Sequence, residues 1–90
     1  MTPRPRRLPF TEGGRRAYVI SEPGGVLNKV ADDAEFRLLA NARALLELTG
    51  PMLDELRTAD EWRFAVERLR ESLTDAVNVA EARGERLYER

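Results

Sequence analysis

The chain has 90 residues, with 15 Lys+Arg against 16 Asp+Glu and a formal charge of −1. Neither cysteine nor histidine is present, which excludes zinc fingers, disulfide scaffolds, thiol chemistry and histidine-based acid–base catalysis. At 10.2 kDa the scaling of surface with mass gives a folded area near ~5,300 Å², enough for one small soluble domain but not for a deep substrate cleft as well.

The charge is unevenly spread. Residues 1–20 carry Arg4, Arg6, Arg7, Arg15 and Arg16 against Glu12, so the remainder of the chain is acidic. Residues 1–9 combine three prolines with three arginines. Proline lacks a donor and fixes φ, so this stretch is expected to be a flexible basic arm. It reads as a solvated tail, or as an arm that orders on an anionic partner. Residues 10–90 are expected to form one small domain. No h-region precedes it and no apolar run approaches the ~20 residues of a membrane span, so neither a signal peptide nor an anchor is expected.

Arg15 to Ser21 has aromatic and β-branched residues at its centre, as strands prefer. Glu22-Pro23-Gly24-Gly25 is a turn signal, and Val26 to Val30 reads as a returning strand. The predicted hairpin therefore spans about 15–31, and it must lie on helices or on a partner's strands to be stable. Asp32 or Asp33 is a candidate cap for a helix over about 33–49, with Leu38, Leu39, Ala42, Leu45 and Leu46 on one face. Gly50-Pro51 should end or kink it, and a short helical piece follows over about 51–57.

Thr58-Ala59-Asp60-Glu61 matches a capping box and opens a long helix predicted over about 58–84, with Gly84 as its stop. Ala59, Trp62, Val66, Leu69, Leu73, Ala76 and Ala80 follow at alternating spacings of 3 and 4, a heptad stripe that Leu87 continues. The preceding helix is too short to cover such a stripe. Some of it must meet the hairpin, residues 51–57 or another copy of the chain. The expected fold is α+β: a short N-terminal β-hairpin, then two main antiparallel helices, the second long and heptad-patterned. Phe36, Leu48 and Phe64 lie off the main stripes and Val79 broadens the long helix near its end. Single exposed apolar residues are ordinary, yet together these four point to an oligomer or partner interface.

Enzyme signatures are missing. There is no phosphate-cradling glycine loop that opens a helix, and Ser21 and Ser72 lack a histidine base. The acidic pairs Asp32–Asp33, Asp54–Glu55 and Asp60–Glu61 do not converge as a metal site requires. No catalytic residue, metal or cofactor is expected. Arg15, Arg16 and Tyr18 lie on one predicted strand, and Arg16 and Tyr18 share a face. A guanidinium beside an aromatic ring can take a phosphate and a base together. The plainer reading is a charged edge strand guarding against aggregation. Arg37 and Asn41, one turn apart on the first helix, are either a surface pair or a contact at a protomer interface.

Over Ala34, Arg37, Leu38, Ala40, Ala42, Leu45, Leu46, Glu47 and Leu48, with Leu39 for isoleucine and Arg43 for the usual proline, the chain resembles small phage and prophage accessory proteins. These carry this helix after a short hairpin and before a second helix. The resemblance implies a phage-encoded, non-enzymatic protein in the host bacterial cytoplasm, of the kind that counters host defence. Some such proteins are oligomers that sequester a nucleotide-derived immune signal. On that reading Arg15, Arg16, Tyr18, Arg37 and Asn41 would hold the ligand at a homo-oligomer interface. The alternative is an inhibitor or adaptor that blocks a host protein through its helical faces. A third reading, a nucleic-acid-binding factor using the arm, is disfavoured by the acidic body.

Overall fold

The computed structural model describes residues 4–88, with Ser21 described in its backbone alone. In chain order it runs β1 (Arg4–Glu12), β2 (Arg15–Ser21), α1 (Val26–Met52) and α2 (Ala59–Tyr88). This is the expected α+β fold, a two-stranded antiparallel hairpin followed by two long helices.

The hairpin is not where the sequence put it. Its turn is Gly13–Gly14, with φ of 58° and 77°, and a two-residue turn with both φ values positive matches the right-handed twist of paired strands. β1 therefore pairs with β2 over Arg4↔Ser21 to Arg7↔Tyr18, and again at Thr11↔Arg16 and Glu12↔Arg15. The register slips between Arg7 and Thr11, and buried Pro9 sits in that irregular stretch. A two-stranded sheet consists only of edges, where proline is tolerated, and a bulge needs no donor. This corrects the flexible arm: described residues 4–9 are a strand. It also corrects the returning strand, since Val26 to Val30 begins α1. Glu22 to Gly25 is a turn that delivers the chain to a helix, with the Gly25 N–H donating to the Glu22 carbonyl at 2.9 Å.

Gly25 is the N-cap of α1 and makes no side-chain cap bond, so neither Asp32 nor Asp33 caps it. α1 continues past Gly50 and through Pro51 to Met52. A proline near the last turn gives up one ladder bond, and the chain closes by tightening: the Leu53 N–H donates to the Gly50 carbonyl at 3.3 Å. The expected short helix over 51–57 is absent. The capping box of α2 is formed in full, with the Glu61 N–H donating to Thr58 Oγ1 at 3.0 Å and the Thr58 N–H to Glu61 Oε1 at 3.1 Å. Gly84 does not stop α2, which runs on to Tyr88 because its last turns are held by ion pairs to β1 and α1.

The helices run antiparallel, with the first turns of α1 beside the last turns of α2. Their contact face on α2 includes buried Ala65, Val79 and Ala82. Val66 and Ala80 of the heptad stripe each follow one of these by one residue, about 100° further around the helix. Most of the stripe is therefore turned to the outside, with Ala76 half-buried at its inner margin. Leu38, Leu39, Ala42 and Leu45 of α1 are half-buried as expected, while Leu46 is exposed. Among the described residues no leucine, isoleucine or methionine is buried, and no described helix is long and apolar enough to cross a membrane.

Candidate functional site

Beside a small apolar core of Ala17, Ala31, Ala65, Val79 and Ala82, the chain buries three charged side chains, Arg6, Arg7 and Glu35. The largest fully buried side chain is Glu35, 1% exposed. Arg86 grips its carboxylate from both sides, Nη1 to Oε2 at 2.8 Å and Nη2 to Oε1 at 3.0 Å. Arg83 Nε adds a bond at 3.0 Å and Arg6 Nη2 one at 3.3 Å. Arg6 also donates to Asp32 at 2.7 Å and to the carbonyl and side-chain oxygen of Asn28. Successive strand residues point to opposite faces, so β1 sends Arg6 to α1 and its neighbour Arg7 to α2. Arg7 donates to Glu85 at 2.7 Å and to Glu81 at 2.8 Å. Tyr18 Oη adds a bond to the other Glu85 oxygen at 2.8 Å.

The charges balance, with Arg6, Arg7, Arg83 and Arg86 against Asp32, Glu35, Glu81 and Glu85. Burial pushes the Glu35 carboxyl up, but Arg86 and Arg83 outweigh it and hold it below the usual carboxylate range. Glu85 is held low first by its bond from Arg7, against burial, and further by Tyr18. Both stay ionised at neutral pH, so neither is poised for acid–base work.

An open hollow of about 460 Å³ lies beside this network, lined by Arg7, Arg16, Glu81, Gly84, Glu85 and Tyr88. Arg16 thus stands at a concave surface, and Tyr18 reaches its wall through Glu85. Arg15 lies at the hairpin turn, exposed and paired in register with Glu12. Arg37 and Asn41 are exposed on α1 and do not line the hollow. The structure therefore divides the five residues predicted to share one ligand. Two carboxylates at the hollow also oppose an anionic guest.

Phe36, Leu48 and Phe64 are exposed, as an interface requires. Arg68 stacks on Phe64, its guanidinium carbon 5.3 Å from the ring centroid. Val79 is corrected. It is 1% exposed and belongs to the face that α2 turns inward, so it is packing within the chain and no docking residue. Sequence reasoning missed the network around Glu35. The local signals were Glu81 and Glu85 one turn apart, and Arg83 and Arg86 three residues apart, but nothing local names their partners.

All six aromatic residues of the chain, Phe10, Tyr18, Phe36, Trp62, Phe64 and Tyr88, are exposed. The long helices leave much more apolar surface uncovered than isolated surface residues account for, including Val66, Leu69 and Leu73 on α2. No protein-family model, curated protein or solved structure matches the chain.

Proposed function

We propose that this chain is a non-catalytic protein-binding module, an inhibitor or adaptor that acts by laying its helical faces on another protein. The observation that carries the reading is the placement of every aromatic side chain at the surface. Aromatic residues dominate the energetics of cores and of interfaces, and here no core holds them. Charged pairs fix the shape of the chain, which leaves its apolar side chains to partners. In the phage setting that the resemblance implies, the occupant of this surface is a host protein. Phe36 and Leu48 on α1, and Phe64 with Arg68 on α2, are the contacts offered.

Co-purification from host cells tests this. The intact chain should retain a defined partner, which Phe36→Asp or Phe64→Asp should release while helical content stays unchanged. If the retained proteins are the same for the wild type and both variants, these faces are not the binding surface.

Arg16 beside the hollow favours a second reading, in which the chain holds a small nucleotide-derived signal. A ligand that binds the folded state raises the melting temperature by mass action. The protein-binding reading expects no shift with ADP-ribose or with a cyclic dinucleotide. A rise that Arg16→Ala abolishes would replace it with the nucleotide reading.

A further inference from the structure

We infer that the outer stripe of α2 is a self-association surface, and that two copies pair through it with their α2 helices antiparallel. The inference concerns a different face from those offered by Phe36, Leu48 and Phe64, since Phe64 lies about 200° around α2 from Trp62, and does not depend on what those residues bind.

The chain leaves uncovered an area that a partner copy would bury. The chain exposes 7171 Å², while a folded monomer of this mass exposes about 5,300 Å². The excess, roughly 1,900 Å², exceeds the ~800 Å² that each partner gives to a stable interface of ordinary size. The extended shape contributes to that excess, but the apolar character of what is uncovered does not follow from shape. Trp62, Val66, Leu69 and Leu73 are 40%, 57%, 39% and 66% exposed, and they follow one another at spacings of 4, 3 and 4. Side chains repeating this way on a helix are the knobs that a second helix receives. A second copy presents the same stripe at the same length, so it is self-complementary in chemistry, and a two-fold axis closes the assembly.

The shape of the stripe fixes the direction. Between Trp62 and Ala80 the stripe is bulky first, at Trp62, Val66, Leu69 and Leu73, and small after, at Ala76 and Ala80. A parallel pair would set Trp62 against Trp62 of the other copy and leave alanine against alanine, overfilled at one end and void at the other. Reversing one copy sets Trp62 over Ala80, Val66 over Ala76 and Leu69 over Leu73, large on small at both ends. This register brings exposed Arg70 close to its own symmetry mate, where solvent and salt screen the repulsion.

Sedimentation and the emission of Trp62, the sole tryptophan, test the pairing. A particle of twice the chain mass is expected at micromolar concentration, with Trp62 emission shifting to the blue as concentration rises. Leu73→Glu should abolish the double mass. Its product supports the inference whether it is a helical monomer or an unfolded chain, since Leu73 lies on the surface of the single chain. A monomeric wild type with concentration-independent emission overturns the inference. So does a dimer that survives Leu73→Glu at unchanged affinity.

Direction is tested separately, in a chain that has no cysteine of its own. Val66→Cys and Ala76→Cys should form a disulfide when mixed and none when oxidised alone. Self-linked Val66→Cys would overturn the antiparallel register. Failure of partner release by Phe36→Asp would leave these outcomes untouched, so the two proposals fail independently.

Discussion

Glu35 carries more of the architecture than any hydrophobic residue. Its carboxylate ties α1 to α2 through Arg83 and Arg86, and to β1 through Arg6. Taking the buried carboxylate out strands Arg86 and removes the link between the helices, although Arg6 keeps Asp32 and Asn28. Glu35→Gln should therefore cost on the order of 3 kcal/mol, read as a lower urea midpoint. The pH dependence has a definite sign. Glu35 and Glu85 have lower pKa values folded than unfolded. Their stabilisation is present above the unfolded value near ~4.3 and is lost as pH falls through the folded values. Unfolding monitored by circular dichroism should show stability dropping below about pH 4.3, and Glu35→Gln should flatten that drop. An unchanged acid slope would mean that the carboxylate is not held as its geometry indicates. At this scale the sequence was nearly silent. Arg6 and Arg86 lie 29 and 51 residues from Glu35, and no local spacing encodes a partner so far away.

At the scale of elements the sequence was legible where the controlling forces are local. The capping box of α2 joins residues three apart, and both of its bonds form. Thr58→Ala should cost about 1 kcal/mol in thermal or urea unfolding. Asp33→Ala should stay within ~0.5 kcal/mol, because exposed Asp33 lies inside α1 and caps nothing. A larger loss at Asp33 than at Thr58 would reverse the assignment of helix starts. The hairpin was misplaced because two turn signals competed. Pro23-Gly24 and Gly13-Gly14 both satisfy turn chemistry, and the prolines of residues 1–9 argued against a strand there. Packing decided between them. The strand over 4–12 can give Arg6 to α1 and Arg7 to α2, while Val26 to Val30 joins a helix that already had its periodicity. The long-helix stripe was legible as a pattern, but its direction was not. α2 turns Ala65, Val79 and Ala82 inward, two alanines and a valine. Its larger apolar residues are thereby left outside.

The whole molecule is long and thin, 56 × 24 × 22 Å, with a radius of gyration of 16.4 Å where a compact chain of this length would have about 12 Å. Such a shape buries little, so stability should depend on association. The melting temperature should rise with protein concentration, as mass action requires when the folded state is a complex. A melting temperature independent of concentration would show that the ion network suffices alone. The sequence by itself determined the chemistry denied to this chain, the existence of two helices, the start of the second and the presence of an apolar stripe, because composition, periodicity and capping act within a few residues. Only the tertiary structure decided which segment pairs with β2, that charged side chains share the interior, and that the bulky stripe residues and the aromatics face outward. Those outcomes depend on how distant segments compete for the same small interior. Arg6, Arg7 and Glu35 take part of that space, paired with more exposed partners, and the larger hydrophobic side chains are left at the surface.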